Sequence, residues 1–356
     1  RNTTGGGVMK PIVALALNND AIRAAVIANP YTNSPTLRKI ITVHLPVGAV
    51  ADGEVVDGKV VTGILKNLIK HHEIPRSEAL LVYSSRRMIY REASFPRMSL
   101  AELRETLRFQ TKSIIPLPLD DCVMDFVPLS IEQTDQGEKY HGMVVASLRA
   151  GVEKSAKSIE DAGLKVAAID AAAFSLSRVF DNASHDNVPA VINVGSNSTD
   201  VIILHEGRPV YLRSVPSGAD DVTTAIVSAL DIEFEDADEI KQRIGLRNVT
   251  GDPRLEKAEE TIRDTTAQLI VGVRNTLNYY SAEHPGTPVG SILLTGVGSA
   301  LGDFPNVLAV STSLPVSMGD PFSRFALSKS IRDEDLHTQA AGFAAVLGLA
   351  LGRKGE

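Results

Sequence analysis

The sequence predicts an α/β protein in which one folding unit occurs twice, with a smaller domain inserted into the first copy. Residues 191–224 read as strand, tight turn, strand, turn, strand and a glycine-containing helix entry. The chain from Val13 opens in the same order, with apolar runs at 11–17, 21–28 and 37–45 ahead of a helix. Between the copies, residues 86–167 carry a β-α-β-β-α-β pattern of their own. Two such units facing each other across a cleft form a nucleotide clamp.

In the first copy, Asn18-Asn19-Asp20 separates two apolar runs and reads as a hairpin turn, since Asn and Asp tolerate left-handed backbone. Val60, Ile64, Leu65, Leu68 and Ile69 recur at helical spacing over 58–70, and 79–83 is a short buried strand. In the insert, 88–95 alternates as a strand. Ser99 and Glu102 form a capping box for a helix running to about Lys112, and Pro116 and Pro118 break it. Strands at 123–131 and 140–148 flank a polar linker at 132–139; a helix at 152–162 and a strand at 164–169 follow. A helix at 171–180 leads to the polar loop 181–187, the best interdomain boundary. The second copy adds helices near 220–230 and 235–244. A long helix at 255–283 sets Ile262, Leu269, Ile270, Val273 and Leu277 on one face. A buried strand at 291–295 ends in Gly296-Val297-Gly298, and a small-residue helix at 337–351 closes the chain. The expected first domain is 9–85 with 168–187 and 337–352, the insert is 86–167, and the second domain is 188–336.

Composition narrows the function. The chain has 356 residues, 44% hydrophobic and 22% charged, enough to build the cores of two or more domains. Its net charge of −7 gives no bulk electrostatic case for nucleic acid; Arg86-Arg87 and Arg353-Lys354 read as solvated surface. The single cysteine, Cys122, fits a reducing compartment and reads as a packed thiol. The longest small-apolar run, 340–351, is interrupted by Gly342 and Gly348 and is too short to span a bilayer. Residues 1–8, ahead of Met9, show no signal-peptide pattern and read as a vector-derived or disordered lead-in.

Three small features carry little chemistry. His71-His72 sits at a helix end and reads as a charge partner there rather than a metal pair. Asp120-Asp121, taken as adjacent strand residues, would point to opposite faces. The acidic run 233–239 reads as a solvated helix start. The stronger signal is the turn Gly195-Ser196-Asn197-Ser198 together with the helix entry Gly218-Ala219-Asp220. Both expose backbone N–H groups suited to an anion such as phosphate.

Motifs then point to a family. The insert carries Phe95-Pro96-Arg97-Met98-Ser99 with Glu102-Leu103, then Ile114-Ile115-Pro116-Leu117-Pro118, Asp120-Asp121 and Met124-Asp125-Phe126. Ile169-Asp170 with Phe174-Ser175-Leu176-Ser177-Arg178 precedes the second phosphate turn. Ala237-Asp238-Glu239-Ile240-Lys241, Leu294-Thr295-Gly296-Val297-Gly298-Ser299 and the closing stretch 342–351 follow in order. In sequence and spacing these resemble the PilM family of type IV pilus assembly proteins, within the actin-like ATPase superfamily, over nearly all of residues 9–352. The resemblance implies an actin-like (ASKHA) fold of two duplicated domains flanking a cleft, with the inserted subdomain. It implies ATP or ADP as ligand, with magnesium. Phosphates would lie on Asn18, Asn19, Gly195, Ser196, Asn197, Ser198, Thr199, Gly218 and Ala219. Gly296, Val297 and Gly298 would frame adenine and ribose, and Lys241 would reach the nucleotide from its helix.

Departures from the pattern weaken that site. Where the family carries D-I-G-S, this chain has Ala16-Leu17-Asn18-Asn19; where it carries D-I-G-A, this chain has Asn193-Val194-Gly195-Ser196. A hard divalent cation prefers carboxylate oxygen, and Ala16 offers none while Asn193 offers a neutral carbonyl. Charge stabilisation and water positioning are most of phosphoryl transfer, so hydrolysis is not expected. The resemblance further implies a cytoplasmic scaffold recruited to the inner membrane, peripheral to it through a partner. That partner is the N-terminal tail of a PilN-like membrane protein, with pilus motor components beyond it. The tail would lie in a groove between the first domain and the insert, drawing on the strand 88–95 and the helix 100–111. The competing readings are a nucleotide-dependent ATPase switch of the same fold, a sugar- or acyl-kinase relative, and a secretion or division scaffold.

Overall fold

The computed structural model describes residues 10–135, 137–181 and 188–352; the lead-in 1–8, most of the loop 181–187 and Arg353-Lys354 lie outside the described residues. The chain opens with β1 (Ile12–Leu17), β2 (Ala21–Ala28), β3 (Thr36–His44), a short pair β4 (Val50–Ala51) and β5 (Glu54–Val55), α1 (Gly58–Lys70) and β6 (Glu78–Tyr83). Next come β7 (Ile89–Pro96), α2 (Leu100–Gln110), β8 (Cys122–Thr134), β9 (Gly137–Leu148), α3 (Arg149–Glu160), β10 (Lys165–Ala171) and α4 (Ala172–Val179). Then follow β11 (Val188–Val194), β12 (Thr199–His205), β13 (Arg208–Val215), α5 (Ala219–Leu230), α6 (Phe234–Ile244) and α7 (Pro253–Glu283). The chain ends with β14 (Val289–Thr295), α8 (Phe304–Thr312), β15 (Val316–Met318), β16 (Ala326–Leu327) and α9 (Asp333–Gly348).

These elements form two compact units. The first is Arg1–Tyr83 with Lys154–Val179 and Asp320–Glu356; the second is Ser84–Glu153 with Phe180–Gly319. The first unit holds a sheet in the order β10-β6-β1-β2-β3-β16, and the second holds β13-β12-β11-β14-β15. In each sheet a central strand (β1 or β11) pairs antiparallel with the next strand and parallel with a later one (β6 or β14). The same wiring in both sheets is the duplication that the repeated strand order predicts.

Helices cover these sheets, so the central strands bury both faces and read as continuous apolar runs. Every residue of β1 and β2 is buried. In the first unit Val61, Leu65 and Ile69 of α1 pack on Val13, Leu15 and Leu81. That helix starts on Asp57, whose carboxylate accepts the N–H groups of Lys59 and Val60 at 3.0 and 3.2 Å. In the second unit α7 sets Leu269, Ile270, Val273 and Leu277 against Ile192, Ile203 and Leu294. Ile262, on the same predicted face, instead joins a smaller core with Val222, Ile226 and Ala237 of α5 and α6.

The second unit also holds the sheet β7-β9-β8. Phe95, Leu103, Leu107, Ile115 and Phe126 fill its core, with the Phe95 and Phe126 rings edge-to-face at 5.0 Å. The capping box is formed: Ser99 accepts from the Glu102 N–H at 3.2 Å, and the Glu102 carboxylate accepts from the Ser99 N–H at 3.1 Å.

The sequence misplaces several details. The stretch 132–139 is not a linker; the β8–β9 ladder continues through Glu132↔Lys139 to Thr134↔Gly137. Polar residues there sit on a two-stranded extension whose faces are largely exposed, so no apolar alternation marks it. Asp120 and Asp121 lie in a single 3-10 turn, Leu119–Asp121, not in a strand, and Asp120 pairs with Arg108 at 3.2 Å. The apolar stretch that forms α8 passes unread in the sequence, because Pro305 and Ser311-Thr312 hide its periodicity.

Candidate functional site

The turn of the second copy spans residues 195–198, between the paired Val194 and Thr199. Its first N–H, from Gly195, donates to the Ser198 carbonyl at 2.9 Å. The first unit repeats this geometry: between the paired Leu17 and Ile22, the Asn18 N–H donates to the Ala21 carbonyl at 3.0 Å. There the Asn19 side chain accepts the Gly53 N–H at 3.0 Å, and Asp20 holds the buried Arg23, with its second oxygen 3.1 Å from Nη1. Asn18 and Asn19 thus belong to the first unit, and the other predicted site residues belong to the second.

Within the second unit the predicted residues converge. The start of α5 is pressed onto the turn: the Ala219 N–H donates to the Gly195 carbonyl at 2.9 Å and the Asp220 N–H to the Ser196 carbonyl at 2.8 Å. This close approach requires Gly218. A Cβ there would lie 2.5 Å from the Ser196 oxygen and 2.6 Å from the Gly195 oxygen. The Gly218 N–H donates to the Asp221 carboxylate at 2.7 Å, and Arg86 grips that carboxylate at 3.0 Å. Thr199 donates its hydroxyl to the Ser217 carbonyl at 2.7 Å. The N–H groups of Gly195, Gly218, Ala219 and Asp220, which the sequence offered to phosphate, are therefore bonded within the chain. Ser196, Asn197 and Ser198 are buried, and Asn197 Nδ2 has no hydrogen-bond partner among the described residues.

A second loop backs the turn. Gly296 takes φ 90°, and a Cβ on it would lie 2.4 Å from the Val194 oxygen. From there the chain enters a 3-10 turn, Val297–Ala300, in which the Ser299 hydroxyl donates to the Gly296 carbonyl at 2.6 Å. A Cβ on Gly298 would meet Val194 Cγ1 at 2.4 Å. The glycine pattern is thus explained by backbone packing against the root of the turn. Lys241 points toward α5: its ammonium lies 2.6 Å from the Thr223 hydroxyl and 2.6 Å from Asp238, and donates to the Ala219 carbonyl at 3.4 Å.

Ala16 is buried and pairs in register with Arg23, while Asn193 lies opposite Asp200. The Asn193 amide donates to the Asp200 carboxylate at 3.3 Å. Sequence reasoning passed over Asp200, whose place in the -Thr-Asp- end of the turn strand was the available signal. It is buried, and desolvation pushes its pKa above the usual carboxylate value; hydrogen bonds from Ser214 and Asn193 pull the other way. Among the described residues no group of three or more His, Cys, Asp or Glu side chains is placed to hold a metal ion.

The insert carries a groove of its own, of about 390 Å³, between α2 and β8. Arg104, Arg108, Phe109, Met124 and Arg149 line it, and Phe109 is 80% exposed. Cys122 forms part of its wall; burial, then Asp121, raise its thiol pKa while Arg149 lowers it. Among the described residues no helix is long and apolar enough to cross a membrane.

Known structures share this architecture. A solved PilM–PilN type IV pilus biogenesis complex is 23% identical, with 96% of this chain and 97% of that chain covered and a TM-score of 0.83. MreB5 of Spiroplasma citri bound to AMPPNP is 13% identical, with 96% and 95% covered and a TM-score of 0.55. The ethanolamine utilization protein EutJ of Carboxydothermus hydrogenoformans is 13% identical, with 96% and 89% covered and a TM-score of 0.54. The fold is actin-like. The family model of type IV pilus assembly protein PilM matches residues 15–354, and with that match spanning both duplicated sheets and the insert, the chain belongs to the PilM family.

Proposed function

We propose that this chain is a scaffold of the type IV pilus machine that captures the N-terminal tail of a PilN-like inner-membrane protein. The observation that carries this is the family match over residues 15–354, supported by likeness to a solved PilM–PilN complex. The insert supplies surface for such a tail: the exposed Phe109 on α2 and the arginines Arg104 and Arg108 beside it. A scaffold held by that tail works in the cytoplasm, at the inner membrane, with pilus motor components as further partners. Calorimetric titration with a synthetic peptide of the tail tests the proposal. Micromolar binding is expected, weakened by Phe109→Ala; no binding to the tail encoded beside this gene defeats it.

Nucleotide is a secondary ligand in this reading. ATP or ADP would use the turn 195–198 with Thr199, the helix start at Gly218-Ala219, Lys241 and the loop 296–298. Asn18 and Asn19 would complete the phosphate contacts. MreB5 of Spiroplasma citri, of like fold, was solved with AMPPNP. Affinity here is weak and magnesium contributes little, for two reasons. Ala16 and Asn193 offer no carboxylate for the ion. Four of the backbone donors already serve the chain itself. A mass spectrum of the purified protein and titration with ATP and magnesium test this; tight, magnesium-dependent binding with turnover would favour the ATPase switch instead.

A further inference from the structure

A second cavity, of about 610 Å³, lies wholly within the second unit. It opens where β13, an edge strand of the five-stranded sheet, comes against β7, an edge strand of the insert sheet. None of the residues 195–199, 218, 219, 241 or 296–298 lines it. The chain carries a net charge of −7, yet Arg86, Arg91 and Arg213 all stand on this wall, with Glu92 as the acid among them. Tyr90, Tyr211 and Tyr279 supply rings. Tyr211 is buried, with its ring 6.3 Å from that of Tyr279 and 5.6 Å from that of Tyr280; Tyr279 is 56% exposed. Arg86 is committed to Asp221 at 3.0 Å; Arg91 and Arg213 are exposed, Arg91 donating to the Tyr90 carbonyl at 2.9 Å and Arg213 to the Tyr211 hydroxyl, bonds that an incoming phosphate would share or replace.

Guanidinium forks match the oxygens of a phosphate, and a backed tyrosine ring gives a flat base a face to stack on. The volume falls within the roughly 300–1,000 Å³ of small-molecule pockets. We propose that this cavity binds a phosphorylated nucleoside, with its phosphate on Arg91 and Arg213 and its base against Tyr279. Glu92 holds the affinity down, because it puts a carboxylate among the residues that line the cavity.

Calorimetric titration of the full chain with AMP in the absence of magnesium tests the site, with adenosine and inorganic phosphate as separate arms. AMP is expected to bind at least about tenfold more tightly than either part alone. Arg91→Ala with Arg213→Ala should weaken AMP by about a hundredfold, each guanidinium supplying one charge-assisted contact. Glu92→Gln should tighten it, and Tyr279→Leu should weaken AMP while leaving inorganic phosphate unchanged. Circular dichroism checks that each variant folds. Should the double variant not fold, Arg91→Gln alone, at an exposed position, carries the same prediction at about tenfold. The proposal is overturned by no saturable binding of AMP, by phosphate binding as tightly as AMP, or by a folded arginine variant that binds AMP like the parent.

Discussion

Replacing Gly218 by alanine tests how the turn and α5 are joined. Gly218 has φ −147° and ψ −167°, extended backbone that alanine adopts freely, so conformational preference is not at issue. The obstacle is space. The new Cβ would sit 2.5 Å from the Ser196 oxygen, 2.6 Å from the Gly195 oxygen and 2.7 Å from the Ser196 carbonyl carbon. All three are backbone atoms, so α5 must lift away from the turn. Lifting it breaks the bonds from Ala219 and Asp220 to the turn carbonyls. Each is worth about 1 kcal/mol, and forced overpacking adds about 1–3 kcal/mol, for a total of about 3–5 kcal/mol. Hydrogen exchange reads this locally: at about 1.4 kcal/mol per decade, amides 219 and 220 should exchange at least about a hundredfold faster. Gly63→Ala is the control, since nothing lies within 4 Å of a Cβ there and the residue sits inside α1. Exchange at 219 and 220 unchanged in a folded Gly218→Ala variant would refute the reasoning.

Further outcomes follow from the same geometry. Gly63→Ala itself should stabilise the first unit by about 0.5–1 kcal/mol, read by urea denaturation, because alanine loses less backbone entropy in a helix. Asp200 has a folded pKa raised by burial, so the folded chain holds that proton more tightly than the unfolded chain. Its contribution favours folding below the ordinary aspartate value and is lost as pH climbs from that value through the raised one. Asp200→Asn should therefore gain stability relative to the parent as pH rises above the ordinary aspartate value; a difference that does not change with pH excludes this. The buried Cys122 thiol, with its pKa raised, should alkylate at least about tenfold more slowly in the folded chain than in urea. Equal rates in iodoacetamide would show that the thiol is open.

Much of the fold is legible because periodicity reports burial. The all-apolar runs of β1 and β2 announce strands covered on both faces, and Ser99 with Glu102 announces the start of α2 from four residues. The glycines at 218, 296 and 298 are legible as special but not as to why. The sequence suggests room for phosphate; in the fold the closest approaches are to backbone, to Val194 and, at Gly296, to the Asn193 side-chain oxygen as well. Asp200 went unnoticed because its burial and its partner Asn193 depend on which strand lies beside which.

Strand pairing decided where the insert ends: β10, read from the sequence as its last strand, pairs with β6 in the first sheet. The order of the main elements, the duplication and the absence of a carboxylate at Ala16 and Asn193 are properties of the sequence itself. They follow from local spacing and residue chemistry, which a chain carries whether folded or not. Tertiary structure alone decided where the turn's hydrogen bonds go. Donors four residues from an acceptor and donors twenty-odd residues away compete on equal terms once packing fixes their distance. Here packing brought Ala219 and Asp220 to the carbonyls of Gly195 and Ser196, and set the distant Arg213 beside Arg86 and Arg91 along one cavity wall.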